Sequence, residues 1–90
     1  MSDSTDDVME TPAGWTRNGP TLVRTFKFKD FTRTMSFVNA VAHVANAADH
    51  HPDLLVSYGK CEVTLSTHDA GTVTPKDVVL AMSISKLPEF

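Results

Sequence analysis

Ninety residues make one small domain with a real core, and a composition 41% hydrophobic contains no apolar run long enough to span a membrane. The first ten residues hold Asp3, Asp6, Asp7 and Glu10 and no basic residue, while the rest counts eight basic against seven acidic, so the net charge of -3 comes with no basic stripe for direct nucleic-acid binding. A single cysteine, Cys61, excludes an internal disulfide and a Cys-rich zinc cage, and a start without a basic n-region or apolar h-region is not a signal peptide, which makes the cytoplasm the expected compartment.

Residues 1–13 are expected to be an acidic, solvated tail, and 14–90 a single domain. The stretch "GWTRNGPTLVRTFKFKD" predicts a hairpin, with Asn18-Gly19 as the turn dipeptide and Pro20 stopping the ladder. In its second arm Leu22, Phe26 and Phe28 form one apolar face, interrupted by Arg24, and Trp15 anchors the first arm on the same core.

From Phe31 the period changes to that of a helix, with Asp30 as N-cap and Phe31, Met35, Val38, Ala42 and Ala45 along one face, widened by Phe37, Val41, Val44 and Ala48, to about Asp49. Asn39, His43, Asn46 and His50 align along a flank of that face that is polar but uncharged. Pro52 disfavours helical geometry at His51, so the helix releases the chain between Asp49 and His51. Two short strands follow, "LLVSY" and "CEVTLSTH", the second with Cys61, Val63 and Leu65 facing the core. Thr74-Pro75-Lys76-Asp77 then starts a second helix with cap, proline at N1 and acid at N3, which gives Asp77 a structural role. This helix presents Val78, Ala81, Met82 and Ser85, with Val79, Leu80, Ile84 and Leu87 beside them. The order ββαββα predicts an α+β fold, a four-stranded antiparallel sheet with helices packed on one face.

Chemistry concentrates in four histidines. His43 reads as an ordinary helix histidine. His50 and His51 stand side by side at a helix end, where neighbouring residues chelate one metal poorly, so a zinc site with His68 ranks below proton transfer. Two or three imidazoles around one pocket supply an acid and a base together. No serine sits in a Gly-rich elbow, Cys61 falls on the core face, and no phosphate-cradling loop occurs.

The segment "ADHHPDLLVSYGKCEVTLSTHDAGTVTPKD", with "GW", "FKFKDF" and "FVNAVAHVANAADHHP" before it, resembles the pterin-4a-carbinolamine dehydratase family, which includes a dimerisation cofactor of a homeodomain transcription factor. The matching elements are His50, His51 and Pro52, then Tyr58, then His68 in "STHDAG", then Asp77. The resemblance implies dehydration of a 4a-hydroxytetrahydropterin to quinonoid dihydropterin, without metal or organic cofactor, in recycling of a tetrahydrobiopterin-type cofactor. It assigns His50 and His51 to acid work at the departing hydroxyl, His68 to base work or ring orientation, and Asp49, Pro52, Ser66, Thr67 and Asp69 to substrate contact. Asn46 and Tyr58 support the site.

The same resemblance implies a homodimer or homotetramer. Where family members carry an ionisable residue one turn before the first histidine, this chain has Asn46, and where they carry a second glycine after the third histidine it has Thr72. Those two departures motivate an alternative reading as a catalytically weak member that serves as a protein-binding or assembly module.

Overall fold

The computed structural model describes residues 10–90, so the expected acidic tail lies mostly outside the described residues. Six elements follow one another: β1 (Thr16–Asn18), β2 (Thr21–Lys27), α1 (Phe31–Ala48), β3 (Asp53–Ser57), β4 (Lys60–Leu65) and α2 (Pro75–Ser85). The strands form one antiparallel sheet in the order β1-β2-β4-β3, with β2 and β4 central. The α+β fold and the ββαββα order expected from the sequence are those observed. No helix among the described residues is long and apolar enough to cross a membrane.

The β1–β2 hairpin closes one residue later than the dipeptide rule suggests. Asn18 pairs with Thr21, so Gly19 and Pro20 are the central pair, and Gly19 alone of the three adopts positive φ, at 59°. A glycine at the first central position is what a two-residue turn of this hand requires. Pro20 then costs nothing, because its missing N–H falls in the turn rather than in the ladder.

Leu22, Cys61, Val63 and Leu65 on the covered face of the sheet are buried, and both helices lie over them. Phe37 of α1 stacks with Phe26 at 4.6 Å and Phe28 at 5.0 Å between ring centroids. Trp15 meets Phe26 edge-on at 6.1 Å and donates its indole N–H to Ser85 Oγ at 2.9 Å, tying the chain before β1 to the end of α2. Arg24, the one polar residue on this face of β2, lies 4.5 Å over the Phe26 ring and donates to the same Ser85 hydroxyl. Burial pushes the Cys61 thiol pKa up, as suits a small core residue.

Both helices bury one flank of the face that hydropathy suggests rather than its centre. In α1 the buried residues are Thr34, Phe37, Val41 and Ala45, centred about 75° from the line through Phe31 at 100° per residue, on the flank that Phe37 and Val41 widen. Phe31 is 48% exposed and Ala42 is exposed. In α2 they are Asp77, Leu80, Ala81 and Ile84, about 100° round, leaving Val79 and Met82 outside. In each case the buried line contains a polar residue with its hydrogen bonds made. Thr34 Oγ1 lies 2.9 Å from the carbonyl oxygens of both Asp30 and Tyr58, so its single proton joins the first turn of α1 to the β3–β4 turn. Thr34→Val keeps the shape and removes that donor; a loss of about 1–3 kcal/mol in stability is expected by urea denaturation.

Candidate active site

Where α1 ends, the chain turns by a left-handed residue rather than by its proline. Asp49 has φ 53° and ψ 41°; its N–H donates to the Asn46 carbonyl and the His50 N–H to the Ala45 carbonyl, both at 3.2 Å. This is the Schellman pattern, with aspartate where glycine is usual. Aspartate tolerates the left-handed region better than most residues, but it is the one non-glycine with positive φ among the described residues. The turn sends His50 and His51 off the helix end in different directions, and Pro52 then leads into β3.

His68 reaches the same region from a loop instead of from the strand that alternation suggests. β4 stops at Leu65, and Thr67 bridges to Thr72, its N–H donating to the Thr72 carbonyl at 3.0 Å. Residues 68–71 turn between them, with Gly71 at φ 69°. The positive φ falls on Gly71, so Thr72 in place of a second glycine carries no backbone strain. Arg17 donates to the Thr72 hydroxyl at 3.2 Å.

A cavity of about 340 Å³ opens between these segments. Asp49, His50 and His51 form one wall, Ser66 to Asp69 a second, and Lys76 closes it from the first turn of α2. A larger hollow of about 450 Å³ lies between β2 and the C-terminal residues, but no histidine lines it. Pro52 and Tyr58 do not line the histidine cavity. Tyr58 sits in the β3–β4 turn, 69% exposed, where its carbonyl accepts from Thr34. His43 is exposed on α1. Among the described residues no three His, Cys, Asp or Glu side chains are grouped to hold a metal ion.

The residue whose role the sequence understated is Asp77. Its carboxylate is fully buried, and Oδ1 stands 2.6 Å from His50 Nε2. Oδ2 accepts the Thr67 hydroxyl at 2.7 Å and the Thr74 N–H at 2.9 Å. Thr67 spends its one proton on Asp77, so across the 2.6 Å contact with Thr74 it accepts. As a carboxylate Asp77 can only accept, so Nε2 of His50 carries a proton and Nδ1 is the nitrogen left for chemistry. Asp77 therefore caps α2 and also fixes the tautomer of His50, as a buried aspartate does behind a catalytic imidazole. The side chain of Thr67, expected to contact substrate, is committed to this network. His51 Nε2 has a different partner, Asn46 Oδ1 at 2.9 Å, and both residues are exposed.

The family model described as pterin 4 alpha carbinolamine dehydratase matches residues 2–87. This chain belongs to that family. A Thermomicrobium roseum protein named "Putative pterin-4-alpha-carbinolamine dehydratase" is 46% identical over 74 residues, 82% of this chain and 80% of the relative. A protein of the same name from Natronomonas pharaonis is 41% identical over 92 residues, 99% of this chain and all of the relative. Among solved structures, a transcriptional coactivator/pterin dehydratase from Brucella melitensis superposes with a TM-score of 0.81 at 31% identity, covering 94% of each chain. A pterin dehydratase-like RuBisCO assembly factor of the alpha-carboxysome shares the fold, with a TM-score of 0.68 at 19% identity over 83% of this chain and 89% of that one. The carbinolamine dehydratase match thus spans both segments that build the histidine cavity.

Proposed function

We propose that this family member dehydrates a 4a-hydroxytetrahydropterin to the quinonoid dihydropterin in the cytoplasm, as a step in recycling a tetrahydrobiopterin-type cofactor. The observation that carries the reading is the convergence of His50, His51 and His68 on one cavity, with His50 held from behind by buried Asp77. The reaction breaks the C4a–O bond and removes the N5 proton. The departing hydroxyl needs a proton to leave as water, and the electrons of the N5–H bond form the C4a=N5 double bond. Imidazoles on opposite walls are suited to giving one proton and taking the other in the same site. In this reading His50 and His51 serve the hydroxyl, and His68 takes the N5 proton or orients the ring. Asp49, Ser66 and Asp69 contact the pterin, whose amino and ring N–H groups are donors that carboxylates and backbone carbonyls can accept. The test is turnover of enzymatically generated 4a-carbinolamine by the purified chain. Acceleration well above the spontaneous dehydration is expected, and a rate equal to it removes the reading.

A second reading, a non-catalytic binding or assembly module, draws on one surface. β3 is an edge strand with one neighbour, and its Leu55 and the adjoining Tyr58 are 66% and 69% exposed. Such an edge pairs readily with another strand. We assign it to a second copy of this chain, giving the homodimer or homotetramer, because an antiparallel edge is self-complementary about a two-fold axis. Light scattering after gel filtration should show an oligomer that the double variant Leu55→Lys, Val56→Lys converts to monomer. A monomeric wild type overturns the assignment.

A further inference from the structure

We infer that Lys76 makes the histidine cavity selective for pterins whose side chain carries an acidic group, a phosphate monoester or a carboxylate. The inference rests on the dehydratase reading for the ring and goes beyond it in the substituent. Among the described residues Lys76 is the one fixed cation on the cavity wall, facing a space that Asp49 and Asp69 also line. Despite those two carboxylates, no ion pair or hydrogen bond among the described residues engages the Lys76 side chain. Among those residues its ammonium is left for a ligand.

Helix formation does not account for a lysine at this position. Lys76 is in the first turn of α2, where a cation opposes the helix dipole, and capping is done by its neighbour Asp77. The pterin ring does not require it either. The amino group and ring N–H are donors, matched by the acidic and carbonyl groups of the opposite walls, whereas a fixed ammonium complements negative charge. The ring's C4 carbonyl could accept a hydrogen bond from it, but the ring is neutral, so a full negative charge to match the ammonium lies only on what the ring carries.

The test is direct binding of stable oxidised pterins to the full chain, read by fluorescence quenching, so that it does not depend on turnover. The probes are 6-hydroxymethylpterin, its phosphate monoester and 6-carboxypterin. An acidic probe is expected to bind about five- to tenfold more tightly than the neutral one at low salt, as a partly exposed charge-assisted contact provides. The preference should shrink with ionic strength, vanish in Lys76→Met with neutral affinity unchanged, and persist in Lys76→Arg. Which acidic probe gains more separates phosphate from carboxylate. Equal binding of all three overturns the inference while leaving the dehydratase reading intact, as does a Lys76→Met variant that weakens all three alike, since Lys76 would then serve the ring. Binding with the acidic preference but without turnover supports the inference and removes the dehydratase reading. Failure of every probe to bind overturns the inference, while turnover of the 4a-carbinolamine still decides the dehydratase reading.

Discussion

Asp77→Asn is expected to lower kcat for carbinolamine dehydration by about a hundredfold to ten-thousandfold, the range seen when an acid–base imidazole loses its orienting carboxylate. The amide has one acceptor and one donor end. Oδ2 of Asp77 must receive the Thr67 hydroxyl and the Thr74 N–H, so the amide oxygen takes that place and its NH₂ faces His50 Nε2. His50 is then forced to accept at Nε2 and to carry its proton on Nδ1, the inverse of the native tautomer, with no buried carboxylate to stabilise imidazolium. Asp77 does not line the cavity, so KM should change little while kcat falls. Asp77→Ala separates this effect from folding. It leaves the Thr67 hydroxyl, the Thr74 N–H and His50 Nε2 without their buried acceptor and is expected to cost about 3 kcal/mol or more in stability. An Asp77→Asn protein that is folded and fully active would confine Asp77 to capping α2.

Asp77 also shows where sequence reading stopped. Its capping role was legible in Thr74-Pro75-Lys76-Asp77, because capping depends on residues three apart. Its second role depends on His50, 27 positions earlier, and Thr67, ten positions earlier, arriving at the same carboxylate. No local period encodes that meeting. The centres of the helix faces shift for the same reason. Hydropathy assigns polar residues to the outside, yet the buried line of α1 begins at Thr34 and that of α2 at Asp77, each with its polar atoms satisfied. Phe37 and Val41, and Leu80 and Ile84, stand at the edge of each expected stripe, and the two polar residues bring its centre over to them. By contrast the strand alternation of Cys61, Val63 and Leu65 was clear, since every inward residue there is apolar and buried.

Backbone geometry divides in the same way. Pro52 correctly placed the end of α1 near Asp49, but the left-handed aspartate that makes the turn has no sequence signature comparable to glycine. Alternation carried His68 along an extended strand, whereas the Thr67–Thr72 bridge folds residues 68–71 into a turn. His68 lines the cavity in spite of that difference, because the loop starts where β4 delivers it. The three histidines were found by residue type and neighbourhood, and the loop that presents the third was not.

His51→Ala is expected to lower kcat by about a hundredfold or more, the usual loss for a general acid, with a folding cost within about 0.5 kcal/mol because His51 is exposed. The partner at 2.9 Å distinguishes this histidine from His50. Asn46 can offer its oxygen to Nε2–H or, turned over, its NH₂ to a bare Nε2, so it fits either tautomer of a neutral ring. A ring so held can release a proton at the hydroxyl and, being exposed, regain one from solvent between turnovers. Asn46→Ala should therefore cost about tenfold or less, since it loosens the ring without removing the acid. Asn46→Asp replaces the two-way partner with an acceptor that favours imidazolium, and the falling limb of the rate against pH should move to higher pH. Should His51→Ala keep activity within a few-fold of wild type while Asp77→Asn loses it, the proton for the departing hydroxyl comes from His50 and its Nδ1. His51 would then be a wall of the site, and the presence of Asn46 in place of an ionisable residue would carry no cost to the reaction.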